Sequence, residues 1–395
     1  MTNRKYDLVL YGASGFTGRQ TVDYCKKAAP PGLRWAIAGR NRAKLDSVNG
    51  AGVDVLIADS QDGAALDALA AATRVVATTA GPFSLYGTKL VDACVRQRTH
   101  YCDITGETPW IRGLIDRHQQ QAAAEGTRIV PTCGFDSIPS DFGAWLTDRH
   151  IREVLHSECV SMSAYFKLGG GINGGTLASF YHLIESGQIA AARDAYLLNP
   201  DRSAPTQEQR LRNADPSGVR YDADLGRWAT SFVMGSINTR VVRRTQALLG
   251  TQFDYQEYSS SKKASGARIA SAAGRMFESV LGSKIGRGLL RPLLPRPGDG
   301  PSEKVMDGGF FETTFIAHAK NGAVVRSVMK AQGDPGNRVT VKCLCESAFV
   351  LAATDDPASR PASGMGGILT PVTALGANLV PRLAAAGITF QVLAT

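Results

Sequence analysis

The glycines Gly12, Gly15 and Gly18 punctuate the stretch LVLYGASGFTGR, and that spacing has a specific chemical use. A glycine-rich turn between an apolar strand and a helix lets backbone N–H groups approach a pyrophosphate, and the positive helix end favours the anion. The pattern is G-x-x-G-x-x-G rather than G-x-G-x-x-G, which lengthens the turn without removing donors. Gly12 is expected to make the sharp turn, Gly15 the close approach and Gly18 the tight helix–strand packing. Ser14, Phe16 and Thr17 complete the cradle. The next strand-like run ends AIAGRNRAK, where an NAD site would place a carboxylate for the ribose hydroxyls. Here Arg40 follows the run directly and Lys44 lies close by; guanidinium matches phosphate oxygens bidentately, so a 2′-phosphate and hence NADPH are expected. Asp59 closes the third run and is expected at the adenine edge, with a helix cap as its other reading.

In doubly wound folds ligands sit beyond the carboxyl ends of the strands. TTAGPFSLYG after the fourth run therefore places Ala80, Gly81 and Pro82 at the nicotinamide end, with Tyr86 nearby. CGFDSIPSD after the sixth run brings Asp136 to the same edge. Tyr86, Lys89 and Asp136 are the proton donors or substrate hydrogen-bonders these loops offer. The competing readings are a helix-surface Lys89 and an Asp136 that caps the helix near Pro139. Tyr258-Ser-Ser-Ser-Lys262 has the letters of a Tyr-x-x-x-Lys reductase pair, but it falls in a strand-like run far beyond the sixth strand and reads as chance.

The elements needed to hold these loops are visible in the pattern. Up to about residue 138, six short apolar runs alternate with helical stretches, which predicts a Rossmann-type, doubly wound parallel α/β sheet over residues 1–138. Longer alternating runs follow, CVSMSAYFKL, FDYQEYSS, GFFETTFIAHA and AVVRSVMKAQ, the last two joined by a Lys320-Asn321-Gly322 turn. They predict a second, substrate-facing domain over 139–337 with a mainly antiparallel sheet. Helical stretches over 338–395 are expected to pack back on the first domain. At 395 residues, more than one domain is the expectation.

The net charge of +9 points to an acidic partner: a phosphorylated cofactor, an anionic membrane or an acidic carrier protein; no nucleic-acid partner is expected. The seven cysteines are odd in number and Cys343-x-Cys345 lacks C-x-x-C spacing, so reduced thiols in a cytoplasmic protein are expected, with no metal site. No apolar run reaches the roughly 18 residues of a membrane span, and no signal peptide is read at the start.

Seven blocks, YGASGFTGR, AGPFSLYG, YCDITGE, CGFDSIPSD, INTRVVRRTQAL, PRPGDGPSEK and GGILTPVTALG, resemble in order those of the saccharopine dehydrogenase-like oxidoreductases, in particular the trans-acting enoyl reductases of mycobacterial lipid biosynthesis. The resemblance spans almost the whole chain. It implies a Rossmann domain specific for NADP, an inserted mixed α/β domain, and reduction of an α,β-unsaturated acyl thioester carried on a polyketide synthase that lacks its own reductase. CGFDSIPSD resembles the Gly-x-Asp loop of saccharopine reductases, which lines their substrate site, and so supports Asp136. Such a reaction needs donors for the thioester oxygen and a proton at the α-carbon; the Tyr86 hydroxyl and the amides near Gly134–Asp136 are the candidates.

Between Lys262 and Arg296 lie Lys262, Lys263, Arg268, Arg275, Lys284, Arg287, Arg291 and Arg296, with Glu278 as the one acid and apolar residues at helical spacing. Such a helix suits an acyl carrier protein or the inner face of the plasma membrane, against the plainer reading of a solvated face. GGGINGGT, residues 169–176, is a candidate seat for a pantetheine phosphate. Two further functions fit the residues. One is a saccharopine-type reductase joining an amino acid to an aldehyde, in which Arg240, Arg243 and Arg244 would hold the substrate carboxylates. The other is a non-catalytic, membrane-associated dinucleotide-binding protein.

Overall fold

The apolar run Tyr6–Tyr11 forms β1 at the centre of a parallel sheet, where Leu8, Val9 and Leu10 are sealed from solvent on both faces. This computed structural model describes residues 4–50, 52–171, 174–200, 205–283, 286, 298–353 and 366–393. The remaining parallel strands are β2 (Trp35–Gly39), β3 (Asp54–Ile57), β4 (Thr73–Thr78), β5 (His100–Asp103) and β6 (Arg128–Val130). The second sheet contains β7 (Cys159–Gly169), β8 (Val219–Asp222), β9 (Arg227–Ser231), β10 (Asp254–Ser261), β11 (Phe310–Ala319) and β12 (Val324–Gln332). Two late strands follow, β13 (Gly367–Ile368) and β14 (Thr389–Val392).

Strand order in the first sheet is β13-β6-β5-β4-β1-β2-β3, with every pairing parallel. The direction of winding reverses between β1 and β4, so a crevice opens beyond their carboxyl ends, the usual ligand position of such sheets. The second sheet runs β14-β12-β11-β7-β10-β9-β8, with β7–β10 its parallel pair. Here β11 and β12 form the hairpin read from Lys320–Gly322, and Gly322 takes φ +89° in the turn.

The helix Ile138–Glu153 leaves the first sheet and packs on β7, β11 and β12. Its Gly143 lies so close to the Phe315 ring that a Cβ there would overlap it. The helix Thr340–Ala352 packs the other way, on β1, β4 and β5. A single apolar cluster therefore runs from Leu10 through Phe142 to Phe315 and joins both sheets. The tail does more than lay helices on the first domain: β13 extends the parallel sheet beside β6, and β14 extends the second sheet beside β12. Strands this short carry almost no periodic signal; backbone pairing with an existing edge creates them. Among the described residues no helix is long and apolar enough to cross a membrane.

Candidate functional site

The glycine turn has the geometry its spacing suggests. Gly12 sits at φ +80°, and a Cβ there would come within 3.0 Å of the Ala80 backbone; a Cβ on Gly18 would overlap the Gly12 carbonyl oxygen. Gly15 is the N-cap of the helix Phe16–Ala28 and no side chain caps it. The first-turn amides, Phe16, Thr17 and Gly18 among them, have no partner within the helix, a donor set that fits a pyrophosphate. Ser14 stands half-buried in the same turn.

Arg40 is exposed immediately after β2, and no hydrogen bond or ion pair from the described residues engages its guanidinium. Arg42, by contrast, is tied to Asp46 at 2.9 Å. Lys44 is exposed on the helix Arg42–Val48, which Asn41 caps through the Lys44 amide. Arg40 and Asp59 flank the hydroxyl of Tyr11, which donates to the Ala58 carbonyl at 3.1 Å. Asp59 itself accepts the Gln61 amide at 2.8 Å and so shapes its own turn. An Arg40→Ala variant is expected to raise the NADPH Kd by about 10- to 100-fold, the worth of one charge-assisted contact, with NADH affinity changed less than threefold. Fluorescence titration of both nucleotides checks it.

Beyond β4, Ala80 packs on Gly12, and a cis Gly81–Pro82 bond leads into the short helix Phe83–Tyr86. That helix turns Phe83 inward and Tyr86 outward: Phe83 is buried, whereas Tyr86 is 39 % exposed and outside the cavity wall. The structure thus does not bring Tyr86 to Asp136. Lys89 lies on the surface and donates to the Gln61 carbonyl at 2.9 Å.

Between the two sheets lies a cavity of about 200 Å³, walled by Thr17, Thr79 and Gly81 on the nucleotide side and by Ser179, Met234 and Ile237 on the other. Asp136 and Glu107 are the ionisable side chains on its wall, and no arginine or lysine lines it among the described residues. Asp136 does not cap its helix: the N-cap is Ser137, and the Asp136 carboxyl looks across at Gly106. Burial alone perturbs it, pushing its pKa up to about 6, because no described donor or cation compensates the desolvation. Of the three amides near it, that of Phe135 is already engaged by the Thr340 hydroxyl at 3.1 Å, which removes it from the set of oxyanion donors.

The loop carrying Asp136 is braced from behind. Asp103, fully buried, accepts the Thr105 and Thr132 amides at 2.9 and 3.1 Å and the Tyr101 hydroxyl at 2.8 Å; burial raises its pKa to about 7. Ser137 meets Asn238 at 3.3 Å, and Asn238 donates to the buried Glu257 at 2.9 Å. Glu107, whose significance the sequence reading did not register, accepts hydrogen bonds from Phe83, Ser84 and Ser179. The available signal was its place in YCDITGE, in the loop after β5 on the same carboxyl edge as Asp136.

The arginines of TRVVRR are not substrate ligands. Arg240, Arg243 and Arg244 are at most 2 % exposed on the helix Gly235–Leu249 and bind the segment Ala192–Leu198. Arg240 holds Asp215 and the Ala192 and Arg193 carbonyls; Arg243 holds Asn213, Ala195 and Tyr255; Arg244 holds Leu198 and Ile368. The helix thus turns its arginines into the protein, because irregular carbonyls there need donors. Tyr258 is likewise structural, stacked on Tyr165 in the second sheet with Arg220 over its ring.

On the basic helix Ala264–Gly282, Ala267 and Ser271 face the protein while Arg268 and Arg275 are exposed, as are Lys262 and Lys263 just before it. Ile269 and Met276 protrude between them, 70 % and 67 % exposed. Lys284, Arg287, Arg291 and Arg296 lie outside the described residues, as do Ile172 and Asn173 of the GGGINGGT run. All seven cysteines are free and buried. No cluster of metal-ligating side chains occurs among the described residues.

A switch-point crevice with an uncapped glycine turn, a free guanidinium past β2 and a cavity over the strand ends defines a nicotinamide-dependent oxidoreductase of the doubly wound class. Residues 8–130 match the saccharopine dehydrogenase NADP-binding domain, and NADP(H) is the cofactor. Over 99 % of its length the chain is 37 % identical to Rv2449c of Mycobacterium tuberculosis, a protein carrying the trans-acting enoyl reductase name, and covers 98 % of it. It is 34 % identical to the trans-acting enoyl reductase of Mycobacterium leprae, over 98 % of this chain and 97 % of that one. The chain belongs to this family of saccharopine dehydrogenase-like NADPH-dependent reductases. Its architecture matches saccharopine dehydrogenase (L-Glu forming) from Saccharomyces cerevisiae, with a TM-score of 0.54 at 12 % identity over 98 % of this chain and 99 % of that one.

Proposed function

We propose that the protein reduces the C=C bond of an α,β-unsaturated acyl thioester with NADPH, acting in trans on a substrate delivered by an acyl carrier protein of a polyketide synthase. The observation that carries this reading is the cavity wall: among the described residues it is uncharged except for two carboxyl groups, and none of them is a cation that could hold a substrate carboxylate. A saccharopine-type condensation would need such cations, and the arginines available for it are buried in the scaffold. The names of the family relatives support the same substrate class.

Bound NADPH would supply the hydride for the β-carbon. The chain's own residues do the rest. The Gly12–Gly18 turn would hold the pyrophosphate and Arg40 the 2′-phosphate. Phe83, Ile104 and Ile237 exclude water around the acyl group. Asp136, with its pKa raised by burial, holds a proton at the cavity wall for the α-carbon. Hydride and proton together saturate the bond, leaving the acyl thioester and NADP⁺. The test is NADPH oxidation with crotonyl-type thioesters beside mixtures of amino acid and semialdehyde. Turnover on the thioester alone is expected; turnover on the mixture alone refutes the assignment, and nucleotide binding without turnover on either favours the non-catalytic reading.

The exposed cations of the helix Ala264–Gly282 suit an acidic carrier domain. Arg268→Glu with Arg275→Glu is expected to raise KM for carrier-bound substrate by about tenfold or more at low salt, while kcat/KM on a short free thioester stays within twofold. Equal losses on both substrates would remove this helix from carrier docking.

A further inference from the structure

Glu107 lies between β5 and the helix Thr108–Ala124, 5 % exposed and on the cavity wall. Its two carboxyl oxygens receive four hydrogen bonds. One oxygen accepts the Phe83 amide at 2.7 Å and the Ser179 hydroxyl at 3.0 Å. The other accepts the Ser84 amide at 3.0 Å and the Ser84 hydroxyl. Backbone amides can only donate, so the site needs a group that accepts at both ends; glutamine would turn its NH₂ against a donor.

The donors come from two different halves of the molecule. Phe83 and Ser84 follow the Gly81–Pro82 turn at the end of β4, whereas Ser179 sits on the helix Gly174–Glu185 of the second domain. Ser179 stands directly over the turn: a Cβ on Gly81 would lie 3.6 Å from its hydroxyl. The turn is backed from the other side by Trp110, which packs on Phe83 with ring centroids 5.9 Å apart and donates to Thr88 at 3.0 Å. The floor of the cavity and its roof thus meet on one carboxylate.

We propose that Glu107 is a positioning residue for the reduction. It fixes the Gly81–Ser84 floor to Ser179 in the roof, and so sets the gap in which the acyl acceptor meets the reactive ring. The proposal rests on the reading of this cavity as the site of reduction. Transfer between two bound groups is steeply sensitive to their placement, and a shift of about 1 Å costs about 100-fold.

Ser179→Ala removes one donor and leaves the contacts within the first domain, so the variant is expected to fold. Its single-turnover rate of NADPH oxidation on an enoyl thioester should fall about tenfold with NADPH Kd within twofold, and Ser179→Thr, which keeps the hydroxyl, should recover most of the rate. Glu107→Gln should lose about 100-fold. A Ser179→Ala rate within twofold of the parent, or a loss matched by weakened NADPH binding, overturns the proposal. Amide hydrogen exchange of the NADPH-bound protein gives a readout independent of substrate. Ser179→Ala should speed exchange in 174–185 only, and Glu107→Gln in both 83–87 and 174–185. Unchanged exchange refutes the link even if the protein reduces no thioester, whereas the expected exchange without thioester turnover refutes the substrate and keeps the link.

Discussion

Asp136→Asn is expected to lower kcat on an enoyl thioester by about 10²- to 10⁴-fold, the usual worth of a positioned acid, with the NADPH Kd within about threefold. Asn keeps the shape and cannot release a proton. The parent should show a pH dependence that the variant lacks. Asp136 has its pKa raised by burial to about 6, so its protonated fraction, and with it any step that draws on this proton, declines as pH rises through 6. The same burial costs stability over the same pH range. A carboxyl whose folded pKa is raised contributes stability that is complete below its unfolded value near 4 and is lost as pH rises through about 6. Asp136→Asn should therefore be more stable than the parent at pH 8, by on the order of 2 kcal/mol, and no more stable at pH 4. Urea unfolding at the two pH values measures this. On the proposed reading the proton donor and the desolvated carboxyl are one residue, so lost turnover and gained stability are expected together. A variant with unchanged single-turnover rate would remove Asp136 from the chemistry.

Arg243→Ala should do the reverse, costing about 3–5 kcal/mol of stability while leaving the NADPH Kd within twofold. The guanidinium is 2 % exposed and donates to Asn213 at 3.2 Å, the Ala195 carbonyl at 3.0 Å and the Tyr255 carbonyl at 2.8 Å. Truncation takes the guanidinium donors from these buried acceptors, leaving Asn213 with only the Tyr255 amide at 3.2 Å, and opens a void under Tyr196. Burial, with Arg240 adding to it, lowers the Arg243 pKa to about 10, still well above working pH, so the charge stays and its partners matter. A carboxylate clamp would behave differently: its loss would raise KM for an acidic substrate and leave the urea midpoint nearly unmoved. The two readouts separate scaffold from substrate site at one residue.

The parallel sheet was legible because its strands are buried on both faces and its helices are long enough to show their period. β1, β2 and β4–β6 appear as short apolar runs, each ended by a glycine or a polar loop. The nucleotide end was legible for a related reason. A glycine with positive φ at Gly12, an uncapped helix start and an arginine directly after β2 are local features, and local features survive in one dimension. Asp136 was proposed by the same logic, from its place after a strand, and the structure puts it on the cavity wall. Tyr86 was placed by that logic too, but the direction a side chain takes from a one-turn helix depends on what buries its neighbours, and Phe83 takes the inward position.

What the amino-acid order determined alone was the alternation of elements, the glycine turn before the first helix and the carboxyl edge of the parallel sheet, all products of short-range periodicity and backbone freedom. What the tertiary structure decided was which charged groups face a ligand. Arg240, Arg243 and Arg244 read as a clamp until the segment Ala192–Leu198 is seen to occupy them. Glu107 reads as a loop acid until Phe83, Ser84 and Ser179 converge on it. Both outcomes depend on donors and acceptors many residues away, and a polar group's role is set by whichever partner folding brings within about 3 Å of it.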